Sequence, residues 1–314
     1  MNDGVSVIVC CYNSSWIIER CLAALLSQRT RPSFEWEIVV VNNSSTDDTR
    51  EIAETILCKG RIPYQIVDEP ISGLLNARKK GIPCANFHIT IYCDDDNLLC
   101  ETYVQTAYDI MKDRPEVGAL GGKGIPEYQA KPDPFVLNYP GSYAVGSQVK
   151  HANSWIWGAG LCLRTLVVKE IYDTQTMYLT GRRGNVLMAG DDGELVMSVR
   201  LNGYQCDADD RLEYIHVLAA KRLTMEYFTK MHEGFALSIP IMNVYECILK
   251  RQSFFMIYIY YIKILIRYIL RSFQKQTCQR RFWQRSALNS LKAYHFWSFG
   301  HLHNVYNELA KLYI

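Results

Sequence analysis

The sequence lacks the features that mark several common classes of protein. Its eleven cysteines are an odd number and none stands in a Cys-x-x-Cys pair, so neither a disulfide framework nor a cysteine zinc cluster is expected. No Gly-x-x-x-x-Gly-Lys-Ser/Thr, His-Glu-x-x-His or Gly-x-Ser-x-Gly motif occurs, which leaves P-loop, zincin and serine-hydrolase functions without support. No basic segment with an apolar core precedes the first strand-like run, so we expect no export signal and a cytoplasmic location.

Acidic residues are almost absent from the last fifth of the chain. Residues 250–314 carry eleven of the 34 basic residues and one of the 32 acidic ones, Glu308. That segment therefore has a net charge of +10, and residues 1–249 have a net charge of −8. Such a division suggests a catalytic or binding body joined to a segment that meets an anionic surface, either lipid or nucleic acid.

Strand-like and helix-like stretches alternate in the first half of the chain. Short apolar runs typical of buried strands occur at 5–11, 37–41, 64–67 and 87–93. Helical spacing of apolar residues separates them, and the pair Ser45 and Asp48 predicts a capping box for the second helix. This rhythm predicts an α/β fold with a mainly parallel sheet flanked by helices, whose ligands lie beyond the carboxyl ends of the strands.

Less regular sequence follows in the middle of the chain. Glycines and prolines recur from Gly121 to Gly146, which predicts a long loop. A helix is expected over Asp191–Leu201, and it would begin with Asp191 and Asp192.

Three adjacent aspartates, Asp94, Asp95 and Asp96, follow the strand at 87–93. Three like charges repel one another and none of them stabilises a core. Mg²⁺ and Mn²⁺ prefer carboxylate oxygens and leave other positions to water and substrate phosphates. The triplet therefore predicts a metal and phosphate site, with a solvated acidic turn as the alternative.

Five segments resemble, in order and spacing, the family 2 glycosyltransferases of the GT-A fold. They are 5–13, 39–49, 73–81, 94–96 and 190–195, and the resemblance covers roughly residues 5–235. It implies a Rossmann-like GT-A domain over 1–235, with a nucleotide-sugar half at about 1–120 and an acceptor half at about 121–235. Residues 236–314 would form a helical, amphipathic C-terminal extension.

The same resemblance implies roles for residues in the donor half. Tyr12 and Asn13 would border the nucleotide, Asn42 and Asn43 would meet the base, and Arg78 would lie near the base or the phosphates. Many members of the family carry an acidic residue where this chain has Asn42. An amide both donates and accepts hydrogen bonds, so the identity of the base stays open, with a UDP-sugar as our first expectation.

Roles in metal binding and catalysis are implied in the same way. Asp94 would hold the ribose or the water shell of the metal, and Asp95 would also contact the donor. Asp96, the last residue of the Asp-x-Asp pattern, would ligate Mn²⁺ or Mg²⁺. His216 stands where some GT-A enzymes bring a late histidine to the metal or diphosphate, although a lone histidine on a strand is often structural. Asp192 stands where the family places its catalytic base.

The chemistry of sugar transfer fits these roles. A metal on Asp96 would act as a Lewis acid toward the leaving diphosphate, and the carboxylate of Asp192 would take the proton of the attacking hydroxyl. One such base implies a single displacement with inversion. The alternative interpretation of Asp192 is an acidic residue that is favoured at a helix N-terminus by the helix dipole.

The last quarter of the chain has a different pattern. Nine apolar or aromatic residues at 254–262 are followed by Lys263, Arg267 and Arg271, four positions apart. The uncharged run is shorter than the roughly 18 residues expected of a membrane span. A helix lying in the lipid interface fits the pattern, and a helix packed on the body is the alternative. Nucleic acid is not expected, because the aromatic residues cluster with aliphatic ones.

Together these features predict a metal-dependent inverting glycosyltransferase at the cytoplasmic face of a membrane. It would move a sugar from a nucleoside-diphosphate donor to a glycan or a lipid-linked acceptor, in cell-surface polysaccharide synthesis. Two alternatives stay open. One is a sugar-nucleotide-forming nucleotidyltransferase, and the other is a carbohydrate- or nucleotide-binding module without catalysis.

Overall fold

The computed structural model describes residues 1–152, 155–183, 186–273 and 277–313. Within them, the strands follow the apolar runs of the sequence. They are β1 (Asn2–Cys11), β2 (Trp36–Asn43), β3 (Tyr64–Glu69), β4 (Phe87–Asp94), β5 (Asn97–Leu99), β6 (Val117–Tyr128), β7 (Leu161–Arg164), β8 (Arg182–Arg183), β9 (Val186–Leu187) and β10 (Gln205–Leu218).

Helices alternate with these strands and then dominate the C-terminal quarter. They are α1 (Ile18–Leu26), α2 (Thr49–Leu57), α3 (Leu74–Gly81), α4 (Tyr103–Asp113), α5 (Pro134–Leu137), α6 (Thr165–Thr174), α7 (Asp191–Leu201), α8 (Met225–Leu249), α9 (Phe255–Ser272), α10 (Cys278–Trp297) and α11 (Phe299–Tyr313). The expected helix at Asp191–Leu201 is confirmed with the same bounds.

One eight-stranded sheet organises the body, in the order β3-β2-β1-β4-β7-β6-β10-β5. Strands β3, β2, β1 and β4 are parallel, and β6 and β10 are parallel to each other. The short β7 is antiparallel to β4 and β6, and β5 pairs antiparallel with β10 at the edge. The predicted α/β class with a mainly parallel sheet is confirmed.

Both faces of the sheet are buried, as the continuous apolar strands require. In β1, Val7 and Val9 pack on one face with α1, α2 and α4, while Ile8 packs on the other face with α3, α6 and α7. A strand covered on both sides has no polar face, which explains the unbroken Val-Ile-Val sequence. The carboxyl ends of β1, β2 and β4 consequently meet at one edge of the sheet.

The predicted capping box at the start of the second helix is wrong. Helix α2 begins at Thr49, and the side chain of its N-cap residue, Asp48, makes no capping hydrogen bond. The neighbouring Asp47 accepts the backbone N–H of Thr49 through Oδ1 at 3.2 Å instead. An aspartate can satisfy a free helix N–H from more than one position, so spacing alone chose the wrong one.

The loop predicted over 121–146 is wrong in its first part, because β6 continues to Tyr128. Its glycines are there for close packing. A Cβ at Gly122 would lie 2.2 Å from the carbonyl oxygen of Leu212, and one at Gly124 would lie 2.0 Å from that of Ala144. Glycine inside a strand often marks such a close approach of another backbone.

The four C-terminal helices form a separate apolar cluster. Helix α8 runs through residue 235, where we expected the GT-A domain to end. Its second half packs with α9, α10 and α11 through Val244, Tyr245, Ile257 and Tyr294, among others. Over the described ranges, no helix combines the length and the apolar character needed to cross a membrane.

Gly160, just before β7, allows a test of the packing around the sheet. Its φ is +67° and an added Cβ would lie 2.4 Å from the hydroxyl oxygen of Tyr103, whereas Gly203 has a φ of +85° and open space around it. We expect Gly203→Ala to cost about 1 kcal/mol of unfolding free energy, from backbone strain alone. Gly160→Ala should cost about 2–4 kcal/mol, because steric overlap adds to the strain. Urea denaturation measures both, and equal losses would contradict this account of Gly160.

Candidate active site

A cavity of about 900 Å³ lies beyond the carboxyl ends of β1 and β4, within the range of small-molecule sites. The starts of α3 and α7, the end of β10 and residues of α8 between Tyr227 and Asn243 complete its walls. Eight of the ten site residues expected from the sequence line it: Tyr12, Asn43, Arg78, Asp94, Asp95, Asp96, Asp192 and His216. Asn13 and Asn42 lie outside the lining.

Asp96 and His216 are distant in sequence and adjacent in space. The antiparallel pairing of β5 with β10 sets His216 opposite Asn97, and the backbone N–H of Val217 donates to the carbonyl of Asp96 at 2.9 Å. His216 Nε2 consequently lies 3.4 Å from Asp96 Oδ2. Arg222 Nη1 donates to the same oxygen at 2.7 Å.

The ring of His216 is oriented by a backbone carbonyl. Its Nδ1 lies 2.7 Å from the carbonyl oxygen of Tyr143, and a carbonyl only accepts, so Nδ1 carries a proton. The other ring nitrogen, Nε2, therefore faces Asp96 and also Arg222, whose Nη1 is 3.3 Å away.

These donor atoms fit a divalent cation that is completed by a ligand. A carboxylate oxygen and an unprotonated imidazole nitrogen both suit Mn²⁺ and similar ions. Within the described residues, no group of three or more His, Cys, Asp or Glu side chains forms a full protein metal site. Further ligands would come from phosphate oxygens and water, as is usual for Mg²⁺-type sites. A cation bound here would share Asp96 with the guanidinium of Arg222.

Arg78 and Asp191 form a buried ion pair on the other side of the triplet. Arg78 Nη1 donates to Asp191 Oδ2 at 2.8 Å, and Nη2 lies 3.9 Å from Asp94 Oδ1. Burial alone would lower the pKa of Arg78, but the two carboxylates outweigh it and hold that pKa above its usual value. Burial raises the pKa of Asp191 to about 6, although Arg78 opposes the shift.

Asp192 follows Asp191 but points elsewhere. It stands in the first turn of α7, and Gly158 donates its backbone N–H to Oδ2 at 2.7 Å. Its other oxygen, Oδ1, accepts the N–H of Gly193 at 2.8 Å. Both oxygens keep further lone pairs, and the side chain is half-buried at the cavity wall. Of the two adjacent aspartates, one is engaged by Arg78 and the other is open to a ligand.

Asp95, the middle member of the triplet, is held by the turn after β1. Its Oδ2 accepts a hydrogen bond from the hydroxyl of Ser14, whose own N–H donates to Thr49 Oγ1 at 2.7 Å. Burial and the neighbouring charge of Asp96 raise the pKa of Asp95 to about 7. The β4 end and the β1–α1 turn are thereby joined.

Asn13 and Asn43 are engaged by the backbone of nearby loops. Asn13 Oδ1 accepts the N–H of Thr46 at 2.8 Å. Asn43 donates through Nδ2 to the carbonyl of Ile71 at 2.8 Å and accepts the N–H of Gly73 through Oδ1, also at 2.8 Å. Both amides therefore shape the loops that border the cavity.

Asn42 differs from these two asparagines. Its Nδ2 donates to Asp68 Oδ1 at 2.9 Å. Its Oδ1 is buried and has no hydrogen-bond partner within the described part of the chain. Asn42 therefore keeps a spare acceptor beside Asn43, which does line the cavity.

Two groups that shape this site were missed in the sequence. Arg222 follows His216 by six residues and returns to it through the short 3₁₀ turn Ala220–Arg222. The N–H of Gly158 holds Asp192, and a backbone donor leaves no mark in a residue pattern. The sequence did offer a signal for Arg222, the basic pair Lys221-Arg222 after a strand. It offered no signal for the N–H of Gly158.

Glu194 anchors the segment that leads into the cavity. It is fully buried on α7, where Oε1 accepts the N–H of Tyr178 at 3.0 Å and the hydroxyl of Tyr245 at 2.8 Å. Its Oε2 accepts the N–H of Leu179 at 2.7 Å. Burial raises the pKa of Glu194 to about 7, while these three donors oppose the shift.

Residues 6–160 match the family model described as Glycosyl transferase family 2. The chain is 28% identical over 121 residues to the poly-beta-1,6-N-acetyl-D-glucosamine synthase of Staphylococcus epidermidis. The aligned segment covers 38% of this chain and 28% of that protein. It is 31% identical over 140 residues to the glycosyltransferase GlyA of Streptococcus pneumoniae, covering 44% and 17%. The putative glycosyltransferase EpsH of Bacillus subtilis is 31% identical over 110 residues, covering 34% and 31%. The matches span less than a third of each relative.

Two solved structures with the same architecture contain a sugar nucleotide. The mannosyltransferase PcManGT of Pyrobaculum calidifontis, in complex with GDP-Man and Mn²⁺, has a TM-score of 0.56 at 15% identity, covering 98% of this chain and 74% of that chain. TarS 1-349 of S. aureus, in complex with UDP-GlcNAc, has a TM-score of 0.56 at 16% identity, covering 99% and 89%. The GT-A fold expected from the sequence is confirmed.

The raised pKa of Glu194 predicts a pH dependence of stability. Its folded pKa of about 7 exceeds the ordinary glutamate pKa of 4.5, so its contribution to stability is complete below about pH 4.5 and is lost as the pH rises to 7. We expect Glu194 to lower the unfolding free energy by on the order of 3 kcal/mol across this window. Urea denaturation at pH 4.5, 5.5 and 7 should therefore show a smaller fall for Glu194→Gln than for the wild type.

An exposed glutamate on α8 provides the control for this measurement. Glu226→Gln should keep the wild-type fall in stability, because Glu226 lies at the surface and its carboxylate contacts Lys230. Parallel curves for the wild type and Glu194→Gln would contradict the role of Glu194.

Proposed function

We propose that this chain, whose residues 6–160 belong to glycosyl transferase family 2, is a metal-dependent inverting glycosyltransferase. It would move a sugar from a nucleoside-diphosphate donor to a glycan or a lipid-linked acceptor. One observation carries the proposal: the Asp96–His216 pair and the open carboxylate of Asp192 line the same cavity. A cation-binding pair and a base within one cavity are what this reaction needs.

Asp192 is the base in this proposal. Its carboxylate takes the proton from the acceptor hydroxyl while that oxygen forms a bond to the anomeric carbon of the donor sugar. The bond between that carbon and the diphosphate oxygen breaks at the same time, and its electron pair leaves with the nucleoside diphosphate. The N–H groups of Gly158 and Gly193 keep the carboxylate in one orientation, so that it meets the hydroxyl with little reorganisation.

Asp96 and His216 would hold a divalent cation. When bound, such an ion supplies positive charge to the oxygens of the leaving diphosphate. Lys221 and Arg222 also line the cavity, and their side chains can donate hydrogen bonds to the same phosphates. The complex of PcManGT with GDP-Man and Mn²⁺ supports this part of the proposal through the shared fold.

The donor we propose carries uracil. Asn42 Oδ1 is the buried acceptor described above, next to Asn43 and just outside the cavity lining. The ring N–H of uracil is a donor that would satisfy it if the Asn42 side chain turned toward the cavity. The TarS structure with UDP-GlcNAc supports this choice, while PcManGT binds GDP-Man, so guanine is the competing base in the test below.

The acceptor end of the cavity is apolar and aromatic. Trp155 is 39% exposed and lines the cavity together with Phe235, Ile239 and Met242 of α8. Aromatic faces stack on the C–H faces of sugars and also bind apolar chains. With a polysaccharide synthase among the relatives, these features support a glycan or lipid-linked acceptor in cell-surface polysaccharide synthesis.

A donor screen tests the proposed reaction. The wild type, with Mn²⁺, should release nucleoside diphosphate from one sugar nucleotide, and UDP-sugars should be hydrolysed fastest. Asp192→Asn should lower kcat at least a hundredfold and leave the Kd for the donor within about twofold, because the base is lost while Asp96, His216 and Arg222 stay in place. Asp113→Asn, at the exposed end of α4, should keep wild-type turnover.

Other outcomes of the screen would contradict the proposal. Donor binding without turnover in the wild type, across soluble and lipid-linked acceptors, would favour a binding module. Release of pyrophosphate from a nucleoside triphosphate and a sugar 1-phosphate would favour a nucleotidyltransferase. Wild-type turnover by Asp192→Asn would exclude Asp192 as the base.

Metal binding gives a second, independent test. We expect Asp96→Asn and His216→Gln each to weaken Mn²⁺ binding at least tenfold in the presence of UDP, because each removes a ligand. Calorimetry, or the electron spin resonance of free Mn²⁺, measures this without turnover. His88→Gln, an exposed histidine on β4, is the matched control and should bind Mn²⁺ as the wild type does. Unchanged affinity in both cavity variants would place the cation elsewhere.

A further inference from the structure

Helix α9 and its C-cap residue, Phe273, expose a row of apolar side chains, which we name the α9 stripe. It consists of Phe255, Ile262, Ile266, Ile269, Leu270 and Phe273, whose side chains are between 44% and 84% exposed. At about 100° per residue, these positions fall within an arc of roughly 100° on the helix. Single exposed apolar residues are ordinary on protein surfaces, but a row of this length along one helix is not.

The opposite side of α9 is already occupied by protein. Ile257 is fully buried in the cluster that α9 forms with α8, α10 and α11, and Tyr261 and Ile264 pack against that cluster. These positions lie about half a turn away from the centre of the α9 stripe. The helix is therefore apolar on both sides, with one side covered and the other open.

Charge decides which occupant suits the open side. Lys263 and Arg267 are exposed and follow the border of the α9 stripe. Helices α9 and α10 together carry seven Lys and Arg residues and no acidic residue. A second copy of this chain would bring an equally basic face to the stripe and would be repelled. An anionic lipid surface offers both an apolar layer and negative charge.

We propose that the α9 stripe docks on a membrane that contains anionic phospholipids. The helix lies in the plane of the interface, with the stripe in the acyl boundary and Lys263 and Arg267 at the headgroups. Its covered side stays on the body of the protein. This docking goes beyond the proposed transfer reaction and does not depend on it, because it needs neither donor nor metal.

The docking also has a consequence for the cavity. Helix α8 contributes Phe235, Ile239 and Met242 to the apolar end of the cavity, and its second half packs against the layer that holds α9. A bilayer bound at the α9 stripe is thus connected through one helix to the acceptor end. A lipid-linked acceptor would be concentrated on the surface to which the protein is bound.

Vesicle sedimentation with matched variants tests the docking. The full chain is mixed with vesicles of phosphatidylcholine containing 30% phosphatidylglycerol, without donor or metal. Leu270→Gln should weaken partitioning at least about tenfold, because one buried apolar side chain is lost from the lipid. Leu166→Gln on α6 is the control, since both leucines are 58% exposed, and it should bind as the wild type does.

A charge variant and a folding check complete the experiment. The double variant Lys263→Gln and Arg267→Gln should weaken vesicle binding at least about tenfold. The difference from the wild type should shrink at high salt, because salt screens the charges. Thermal unfolding should show the same Tm for Leu270→Gln and Leu166→Gln, since neither leucine is buried.

Three results would overturn the proposal. They are an absence of wild-type binding to the anionic vesicles, equal partitioning of Leu270→Gln and Leu166→Gln, and conversion of a dimer to a monomer by Leu270→Gln with vesicle binding unchanged. The last result would assign the α9 stripe to an interface between copies. Because these measurements use no donor, failure of the proposed transferase reaction would leave them unaffected, and the reverse also holds.

Discussion

The buried ion pair between Arg78 and Asp191 joins the two halves of the cavity. Arg78 belongs to α3, in the part of the chain that the family model matches, and Asp191 begins α7, beyond that match. Removal of one partner would leave an uncompensated buried charge, which typically costs about 3–5 kcal/mol. The pair also fixes the first turn of α7, so that the next residue, Asp192, turns its carboxylate to Gly158 and to the cavity. The proposed base thus stands next to a residue that is itself held by Arg78.

The negative charges of the aspartate triplet, at the carboxyl edge of the sheet, are offset by separate partners. Three consecutive aspartates would repel one another, and the fold divides them among different partners. Arg78 lies near Asp94, the hydroxyl of Ser14 donates to Asp95, and Arg222 and His216 contact Asp96. Burial, and then the neighbouring charge of Asp96, raise the pKa of Asp95 to about 7. A cation at this edge would offset the remaining negative charge, which is consistent with a site completed by its ligand.

Helix α8 links the chemistry of the cavity to the C-terminal layer. Its residues Phe235, Ile239 and Met242 line the apolar part of the cavity, and its second half packs with α9, α10 and α11. The two interpretations of the C-terminal helix that the sequence left open are therefore not exclusive. One side of α9 packs on the body, and the other side presents apolar and basic residues outward. A pattern of residues along one helix cannot distinguish a single apolar face from two, because it does not record which neighbours cover them.

Local patterns in the sequence were enough to predict the alternating strands and helices and the bounds of α7. They were also enough to identify the aspartate triplet and the family resemblance. Each of these depends on residues that are close together in the chain. Close packing of Gly122 and Gly124, the Asp96–His216–Arg222 cluster and the hold of Gly158 on Asp192 came only with the tertiary structure. The same is true of Asn42 and Asn43, adjacent amides of which one is saturated by loop backbone and the other keeps a buried acceptor. These features arise from strand pairing and helix packing between segments tens to more than a hundred residues apart. No local spacing encodes which backbone donor or which cation will lie beside a given carboxylate, and that choice decides its chemistry.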